Sequence, residues 1–326
     1  MSINVALIGS GIWAREEHLP AINAAEHLTL RAIFSRSSKA ATAFANDLPG
    51  CNVYSEDGEL GYKDLIARKD IHAVIIALPI KNQKEYIRDA LLAGKHVLSE
   101  KPVLENVKEA VEMIKWYRAE IHDATWSIAE NWRFLKSFDH AREMIANLGK
   151  IIGFQVRMFD CVQEDWNFFR SVKPETDWRK TPTHQGGFLL DGGVHFVAGI
   201  RRLLGAQSGN EIKQLSANTS LLKPFLPPVD TINASLKTVS GISGVVQLSF
   251  GTTLRGNEWT VACEGGVVTV NDSEITKTVN GKAENVSIPN ERTGVPPVVR
   301  AWSDALANGK VRPELEPEPA LADLEL

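Results

Sequence analysis

The stretch that most constrains this chain is Asn4–Ala14, which reads NVALIGSGIWA. Its apolar run from Val5 to Ile8 is typical of a parallel strand that is buried on both faces. The G-x-G-x-x-A turn that follows permits a tight bend at Gly9 and leaves bare backbone at Gly11. Because the amides at a helix start attract phosphate, the stretch predicts a strand, a turn and a helix that bind the pyrophosphate of a dinucleotide. A glycine-rich turn that binds nothing is the alternative.

The composition is that of an ordinary folded protein. With 326 residues, of which 44% are hydrophobic and 23% charged, the chain is long enough for two domains with substantial cores. The formal net charge of −4 gives no basic field that would attract nucleic acid or an anionic membrane. The first apolar run is too short for a signal peptide, and no later run reaches about 18 residues, so we expect a cytoplasmic protein. Three widely spaced cysteines without a C-x-x-C pair argue against a disulfide framework and a zinc site.

Strand and helix patterns alternate through the first 128 residues. This alternation predicts an α/β fold, a doubly wound parallel sheet of the Rossmann type, over residues 1–128. Ligands of such a sheet bind outside the carboxyl ends of the strands, where Pro79 and the run Glu100-Lys101-Pro102 fall. The later predicted strands are 27–34, 51–54, 73–78, 96–98 and 125–129, and the predicted helices are 37–48, 62–68, 84–93 and 105–121.

The end of the second strand bears on the choice of dinucleotide. A fold that prefers NAD places Asp or Glu there, about 20 residues beyond the glycines, to bond the ribose hydroxyls. This chain has Ser35, Arg36 and Ser37 instead. A guanidinium with neighbouring hydroxyls suits a 2′-phosphate, so we expect NADP(H), with NAD(H) the weaker candidate. An ordinary solvated turn is the alternative for Arg36.

The pattern changes from residue 129 onward. An amphipathic helix is predicted over 134–148, and five strand-like runs follow without helices between most of them: IIGFQVRMF, TINASLKTV, GVVQLSF, EWTVAC and GVVTVN. Such runs, joined by turns with Gly and Asn, predict a mostly antiparallel sheet. The second domain, 129–326, is therefore predicted to be α+β.

One segment of this second half, GGFLLDGGVH, carries two polar side chains and runs into an apolar stretch. If the segment is helical, Asp191 and His195 are four residues apart and share one face. A carboxylate beside an imidazole orients the ring and supports its positive charge. A metal site at this pair is the weaker alternative, because no third His or Cys lies at a suitable spacing.

Together these motifs resemble the glucose-fructose oxidoreductase, inositol dehydrogenase and MocA family. The residues that carry the resemblance are the G-x-G-x-x-A turn, Gly94-Lys95-His96-Val97 before Glu100-Lys101-Pro102, Gly186-Gly187 with Asp191 and His195, and the ending Pro319-Ala320-Leu321-Ala322-Asp323. Ala129-Glu130-Asn131-Trp132 and Trp178-Arg179 are similar to NADPH-dependent members of eukaryotic origin. The resemblance implies a Rossmann domain, a second domain with a large open sheet, and a substrate held between the two.

The resemblance also implies an activity. The protein would transfer a hydride between the nicotinamide and a carbonyl or hydroxyl carbon of a small polyhydroxylated or cyclic substrate of the sugar, inositol or diol type. His195 is the expected proton donor, Lys101 would hydrogen-bond the same oxygen, and Asp191 would orient His195 and bond a substrate hydroxyl. A catalytically silent, NADP-sensing regulatory protein of the same fold is the alternative.

The complete set of expected contacts follows from these arguments and from the family. The expected cofactor contacts are Gly9, Ser10, Gly11, Ile12, Trp13, Ser35, Arg36, Ser37, Leu78, Pro79, Glu100, Lys101, Pro102 and Asn131. The expected substrate contacts are Trp178, Arg179, His184, Asp191 and His195. No metal, nucleic acid or membrane is expected as a partner, whereas a homodimer formed through an apolar patch on the second sheet is.

One departure from the family pattern and two further expectations concern local features. Many family members carry Thr-Pro-Asn-x-x-His after the fourth strand, whereas this chain has Leu78-Pro79-Ile80-Lys81-Asn82-Gln83. The last helix of the family usually continues beyond the Ala-Asp motif, so we expect a shortened last helix before Leu326. A cis peptide bond is predicted before Pro102, where the fifth strand turns.

Overall fold

The computed structural model describes residues 2–163, 181–182 and 186–326. Within it the chain divides into two compact units. The first contains the residues up to Asn131 together with Val295–Glu325, and the second contains residues 132–294. No helix among the described residues combines the length and the apolar character needed to span a bilayer.

The first unit is built on a parallel sheet whose six strands, among the described residues, follow the order β3-β2-β1-β4-β5-β6. Val5 to Ile8 on the central strand are fully buried, as the apolar run predicts. The strand order reverses between β1 and β4, which opens a crevice at the carboxyl ends of these two strands. The strands are β1 Ile3–Ile8, β2 Leu28–Ser35, β3 Asn52–Ser55, β4 Ala73–Ile76, β5 His96–Glu100 and β6 Trp126–Ala129.

Helices connect these strands and cover the sheet. In chain order, the α-helices of the described residues are α1 Leu19–Ala24, α2 Ser38–Ala45, α3 Tyr62–Ala67, α4 Ile80–Leu92, α5 Val107–Glu120, α6 Lys136–Ala146, α7 Gly187–Leu204, α8 Val295–Asn308 and α9 Pro317–Leu324. A π-helical turn, Ala14–His18, precedes α1, and short 3-10 turns lie at Asn131–Phe134 and Pro313–Leu315. The helix predicted over 84–93 begins earlier, at Ile80, because Pro79 occupies the position just before it, where a missing N–H costs nothing.

The last two helices belong to the first unit rather than to the second domain, which was expected to span 129–326. Helix α8 packs against α1, and α9 packs against α5. The Arg118 guanidinium on α5 donates two hydrogen bonds to Glu318, each 2.8 Å long, and a third to Glu316. The chain therefore returns to the N-terminal unit after the second sheet is complete.

The second unit contains an eight-stranded sheet, counted over the described residues, in the order β14-β13-β12-β11-β7-β10-β9-β8. Only β7 and β10 run parallel among its neighbouring strands. One face carries buried side chains such as Val156, Trp259 and Val246, which lie on the side of α6 and α7. The predicted fold class, a Rossmann sheet followed by a mostly antiparallel α+β domain, is confirmed. The strands are β7 Ile151–Cys161, β8 Ile212–Ser220, β9 Thr231–Thr238, β10 Ser243–Ser249, β11 Gly251–Cys263, β12 Gly266–Asn271, β13 Glu274–Val279 and β14 Lys282–Ser287.

Candidate functional site

The two glycines of the G-x-G-x-x-A turn meet different constraints. Gly9 has a φ of +120°, and a Cβ there would lie 2.3 Å from the Ala77 carbonyl oxygen, so the fold itself requires glycine. A Cβ at Gly11 would meet no atom within 4 Å. The backbone at Gly11 thus borders open space at the carboxyl end of the central strand, which fits the close approach of a pyrophosphate.

Three side chains join this turn to the end of β5. The Trp13 indole Nε1 donates to Glu100 Oε1 at 2.8 Å, and His18 Nε2 lies 2.7 Å from the same oxygen. His18 is fully buried and Glu100 is nearly so. Glu100 immediately precedes Lys101, so this network links the phosphate turn to the strand end that carries the expected catalytic lysine.

The π-helical turn explains how Trp13 and His18 reach one carboxyl group. These residues are five apart, and a π turn closes over the same interval, as the Leu19 N–H does to the Ala14 carbonyl. Pro20 has no N–H to donate to the carbonyl four residues earlier, which disfavours a regular α-helix at this point. The chain therefore begins its first helix with a wider turn that presents both side chains to Glu100.

The end of β2 is polar and carries several charges. Ser10 Oγ donates to Ser35 Oγ at 2.8 Å, which joins the phosphate turn to this strand end. Arg36 is exposed, and Ser37 Oγ accepts from the Ala40 amide at the start of α2. The Ser10–Ser35 bond thus places the phosphate turn beside the strand end that carries the expected ribose contacts.

Two carboxylates from the loop after β3 also reach this region. Asp57 Oδ1 accepts from the Ser38 amide at 2.6 Å, and Glu56 Oε1 accepts from the Tyr86 hydroxyl at 3.2 Å. Burial and the neighbouring Glu56 raise the pKa of Tyr86 to about 12, whereas the positive charge of Arg36 lowers it. The turn after β2 therefore lies within a field of one guanidinium and two carboxylates.

The turn after β4 contains a buried glutamine where the family pattern has histidine. Gln83 Nε2 donates to the Leu78 carbonyl at 3.2 Å, which closes the turn around Pro79. Gln83 is 1% exposed, and its Oε1 has no hydrogen-bond partner among the described residues. The glutamine thus supports the shape of the turn after β4.

The expected catalytic residues lie on both units. Lys101 follows β5 and is half-buried, and the Lys101–Pro102 bond is cis, which confirms that prediction. Asp191 and His195 lie one turn apart on α7, so the segment is helical and the two residues share a face. Asp191 is 7% exposed and His195 is half-buried. Asn131 is buried in the 3-10 turn at the end of the first unit.

Trp132 holds the His195 ring from one side. The two rings are nearly parallel, with an interplanar angle of 18° and centroids 5.8 Å apart. Trp132 itself packs edge-on against Phe196 and tilted against Trp259, whose indole donates to the Phe196 carbonyl at 3.0 Å. An aromatic cluster therefore packs against one face of the imidazole.

Sequence reasoning did not name His18 or Asp57, and it named Gln83 and Trp132 only within family motifs, without a role in this neighbourhood. The interval from Trp13 to His18, followed by a proline, was a usable signal for the first. Trp178, Arg179 and His184 lie outside the described residues. Among the residues that the structure does describe, no group of three His, Cys, Asp or Glu side chains is arranged to hold a metal ion.

The chain is similar to known oxidoreductases. A model of the GFO/IDH/MocA oxidoreductase family with an NAD-binding Rossmann fold matches residues 3–121, and a model of the GFO/IDH/MocA C-terminal domain matches residues 138–269. Dehydrogenase FPY6 of Fusarium mangiferae is 36% identical over 336 residues, which cover 99% of this chain and 94% of that protein.

A sugar nucleotide reductase and a solved structure are also similar to this chain. The dTDP-3,4-didehydro-2,6-dideoxy-alpha-D-glucose 3-reductase of Actinomadura kijaniata is 32% identical over 204 residues, which cover 63% of this chain and 57% of that enzyme. The crystal structure of an oxidoreductase from Thermotoga maritima superposes with a TM-score of 0.86 at 29% identity and covers 99% of this chain and 94% of that one.

Proposed function

Because this chain belongs to the GFO/IDH/MocA oxidoreductase family, we propose that it is an NADP(H)-dependent enzyme that transfers a hydride to or from a carbonyl or hydroxyl carbon. The observation that carries the proposal is the open space over Gly11, at the end of a fully buried central strand. When bound there, the nicotinamide cofactor supplies the hydride chemistry. The chain's own residues bind the cofactor, orient the substrate and move the proton.

The residues after β2 support NADP(H) as the preferred cofactor. Arg36 is exposed and free to approach a 2′-phosphate, and Ser35 and Ser37 add hydroxyl groups beside it. Guanidinium groups suit phosphate because they bond it in a bidentate manner. Ser10, Ile12, Trp13, Leu78, Pro79, Glu100, Pro102 and Asn131 complete the proposed cofactor-binding set together with the two glycines.

Lys101, His195 and Asp191 are the proposed catalytic residues. Reduction of a carbonyl needs a proton on its oxygen as the hydride arrives, and His195 is the proposed donor. Lys101 donates a hydrogen bond to the same oxygen. Asp191 orients His195 and accepts a hydrogen bond from a substrate hydroxyl. The Trp132 stack keeps the imidazole in one plane, which suits a group that must transfer a proton in a fixed direction.

The proposed substrate is a small polyhydroxylated or cyclic carbonyl compound of the sugar, inositol or diol type, or the matching alcohol. The name of the Actinomadura kijaniata relative, a 3-reductase of a dideoxyglucose nucleotide, supports a sugar-like carbonyl. Trp178, Arg179 and His184 remain proposed substrate contacts. The carboxylate of Asp191 and the imidazole of His195 suit a substrate that presents hydroxyl groups.

Two broader features complete the proposal. The three cysteines, Cys51, Cys161 and Cys263, are all free thiols, which supports a reducing compartment such as the cytoplasm. The face of the second sheet opposite α6 and α7 supports a homodimer in solution.

The proposal is tested by replacing the lysine that follows β5. We expect Lys101→Met to retain NADPH binding but to lose about 100- to 1,000-fold in turnover, the usual contribution of a hydrogen-bond donor to the oxygen that gains charge in the reaction. Binding is measured by calorimetry, and turnover by the decline of NADPH absorbance with a panel of aldoses, ketoses, inososes (the keto forms of inositols) and diketones. Lys81→Met, which removes an exposed lysine from α4, is the matched control.

Two outcomes would contradict the proposal. Near wild-type turnover in Lys101→Met would remove the lysine from the mechanism. Tight NADPH binding by the wild type without consumption by any member of the panel would favour the alternative, an NADP-sensing regulatory protein of the same fold.

A further inference from the structure

The turn after β2 has no acidic residue of its own, but a carboxylate from the loop after β3 reaches it. Strands β2 and β3 are parallel neighbours, and Ser35 lies in register with Ser55. The segments that leave these two strands therefore emerge side by side at the same edge of the sheet. Asp57, two residues beyond β3, accepts a 2.6 Å hydrogen bond from the amide of Ser38, three residues beyond β2.

This carboxylate lies at the turn that carries Arg36, the residue proposed to bind a 2′-phosphate. The Ser38 N–H, a donor that suits a phosphate oxygen at a helix start, is already engaged by Asp57. Arg36, one residue before Ser37, presents the opposite charge to the same turn. The neighbouring Glu56 makes a different contact, because its Oε1 accepts a hydrogen bond from the Tyr86 hydroxyl.

We propose that Asp57 is a specificity-determining residue that limits the preference for NADPH created by Arg36. This inference rests on the proposed function. A 2′-phosphate brings negative charge toward a carboxylate, whereas the 2′-hydroxyl of NADH can donate a hydrogen bond to it. Asp57 thereby serves the role that an acid at the end of the second strand serves in NAD-preferring folds.

The exposure of Asp57 makes the test clean, because an exposed loop side chain can be changed without disturbing a core. Asp57→Asn keeps an oxygen that accepts from Ser38 and removes only the charge. We expect this variant to bind NADPH roughly five- to tenfold more tightly at low ionic strength. The affinity for NADH should change by less than about twofold or weaken slightly, because the neutral amide still accepts a hydrogen bond.

Two further variants are compared with Asp57→Asn, one expected to change the selectivity in the opposite direction and one as a control. Arg36→Ala should shift the selectivity in the opposite direction and weaken NADPH binding by about tenfold or more, because it removes charge-assisted hydrogen bonds to the phosphate. Glu59→Gln, which neutralises another exposed carboxylate of the same loop, should leave the ratio of the two dissociation constants unchanged. The gain of Asp57→Asn should shrink when salt is raised to about 0.5 M, since an electrostatic effect near the surface is screened.

Calorimetric titration of NADPH and NADH into each variant decides the question without reference to activity. An unchanged ratio in Asp57→Asn, an equal loss of both affinities, or a selective loss of NADPH would each overturn the inference, because the carboxylate would then only support the local fold. A wild type that binds neither dinucleotide would overturn the proposed function itself. Binding of both cofactors with an unaltered ratio leaves that function intact and removes only the role of Asp57.

Discussion

Positions 9 and 11 are both glycine, but for different physical reasons. At Gly9 the backbone has positive φ and approaches the Ala77 carbonyl, so the protein needs glycine with or without a ligand. At Gly11 neither the backbone angle nor any neighbouring atom excludes a side chain. The absence of a side chain at Gly11 is therefore best understood as room for the cofactor.

This distinction predicts opposite results for two alanine variants. Gly9→Ala should lower the free energy of unfolding by at least about 2 kcal/mol, because the new Cβ is strained at that φ and collides with a carbonyl. Gly11→Ala should unfold within about 0.5 kcal/mol of the wild type but should weaken NADPH binding by about tenfold or more. Urea denaturation and calorimetric titration measure the two effects. Full NADPH affinity in Gly11→Ala would place the pyrophosphate elsewhere.

Single residues were predictable where the chemistry is local in the chain. The glycine turn, Lys101 before a cis proline, and Asp191 with His195 on one helical face all follow from short spacings. Asp57 was not predictable in this way, because its approach to Ser38 depends on the register of two strands that are 20 residues apart. Trp132 likewise meets His195 only through tertiary packing.

At the scale of the element, the π-helical turn Ala14–His18 is the least regular part of the candidate site. This turn brings the Trp13 and His18 side chains to the same Glu100 oxygen. A regular α-helix would align residues three or four apart instead. The irregular turn thus joins the phosphate-binding end of β1 to the end of β5.

We expect the Trp13 hydrogen bond to contribute measurably to stability. Trp13→Phe keeps an aromatic ring but removes the indole N–H, and it should lower the free energy of unfolding by about 1 to 3 kcal/mol, since the bond ends on a buried carboxyl group. Trp116→Phe is the matched control, because this half-buried indole packs against Arg88. Denaturant unfolding compares the two. Equal losses in both variants would mean that ring size, rather than the bond to Glu100, accounts for the effect.

Elements were predicted best where their pattern was continuous. The buried strands β1 and β4 and the alternation of strands and helices follow from the apolar periodicity. The start of α4 was not predicted, because most residues of its first turn are polar. Pro79 also fits the end of a strand as well as it fits the start of a helix. The return of α8 and α9 to the first unit depends on tertiary contacts, including the Arg118 ion pairs, that periodicity does not encode.

At the scale of the whole molecule, the eight-stranded sheet leaves one face without covering helices among the described residues. The alternation of side chains places Trp259 and Val261 in the core and Thr260 between them on the other face. The register sets Thr260 beside Gln155 on one side and Thr269 on the other, and the two threonine hydroxyls lie 3.0 Å apart. The row through Thr260 therefore carries hydroxyl and amide groups with an exposed valine, Val245, and the adjacent row carries the Arg157–Glu258 ion pair, rather than the apolar patch expected from the sequence.

This face, with short polar side chains in the row through Thr260 and the paired Arg157 and Glu258 in the next row, still suits association with a second copy. Interfaces are depleted in charge at their core rather than uniformly apolar, and two sheets can pack closely when their side chains are short. On this face the ion pair between Arg157 and Glu258 is already neutralised within the sheet. In a twofold-symmetric dimer the same patch of each copy meets itself, so any residue near the centre is introduced twice.

This symmetry makes the dimer testable with one substitution. Thr260→Arg would place two unpaired guanidinium groups in the buried centre of the interface, at a cost of about 3 to 5 kcal/mol or more, and should convert a dimer into monomers. Asn285→Arg adds the same charge at the outermost strand, β14, and should leave the dimer intact. Sedimentation velocity reports the association state, and NADPH titration reports whether the first unit remains folded. A monomeric wild type, or a Thr260→Arg variant that sediments as a dimer, would show that this face does not form the interface, whereas monomers that still bind NADPH would establish the sheet as the surface of association.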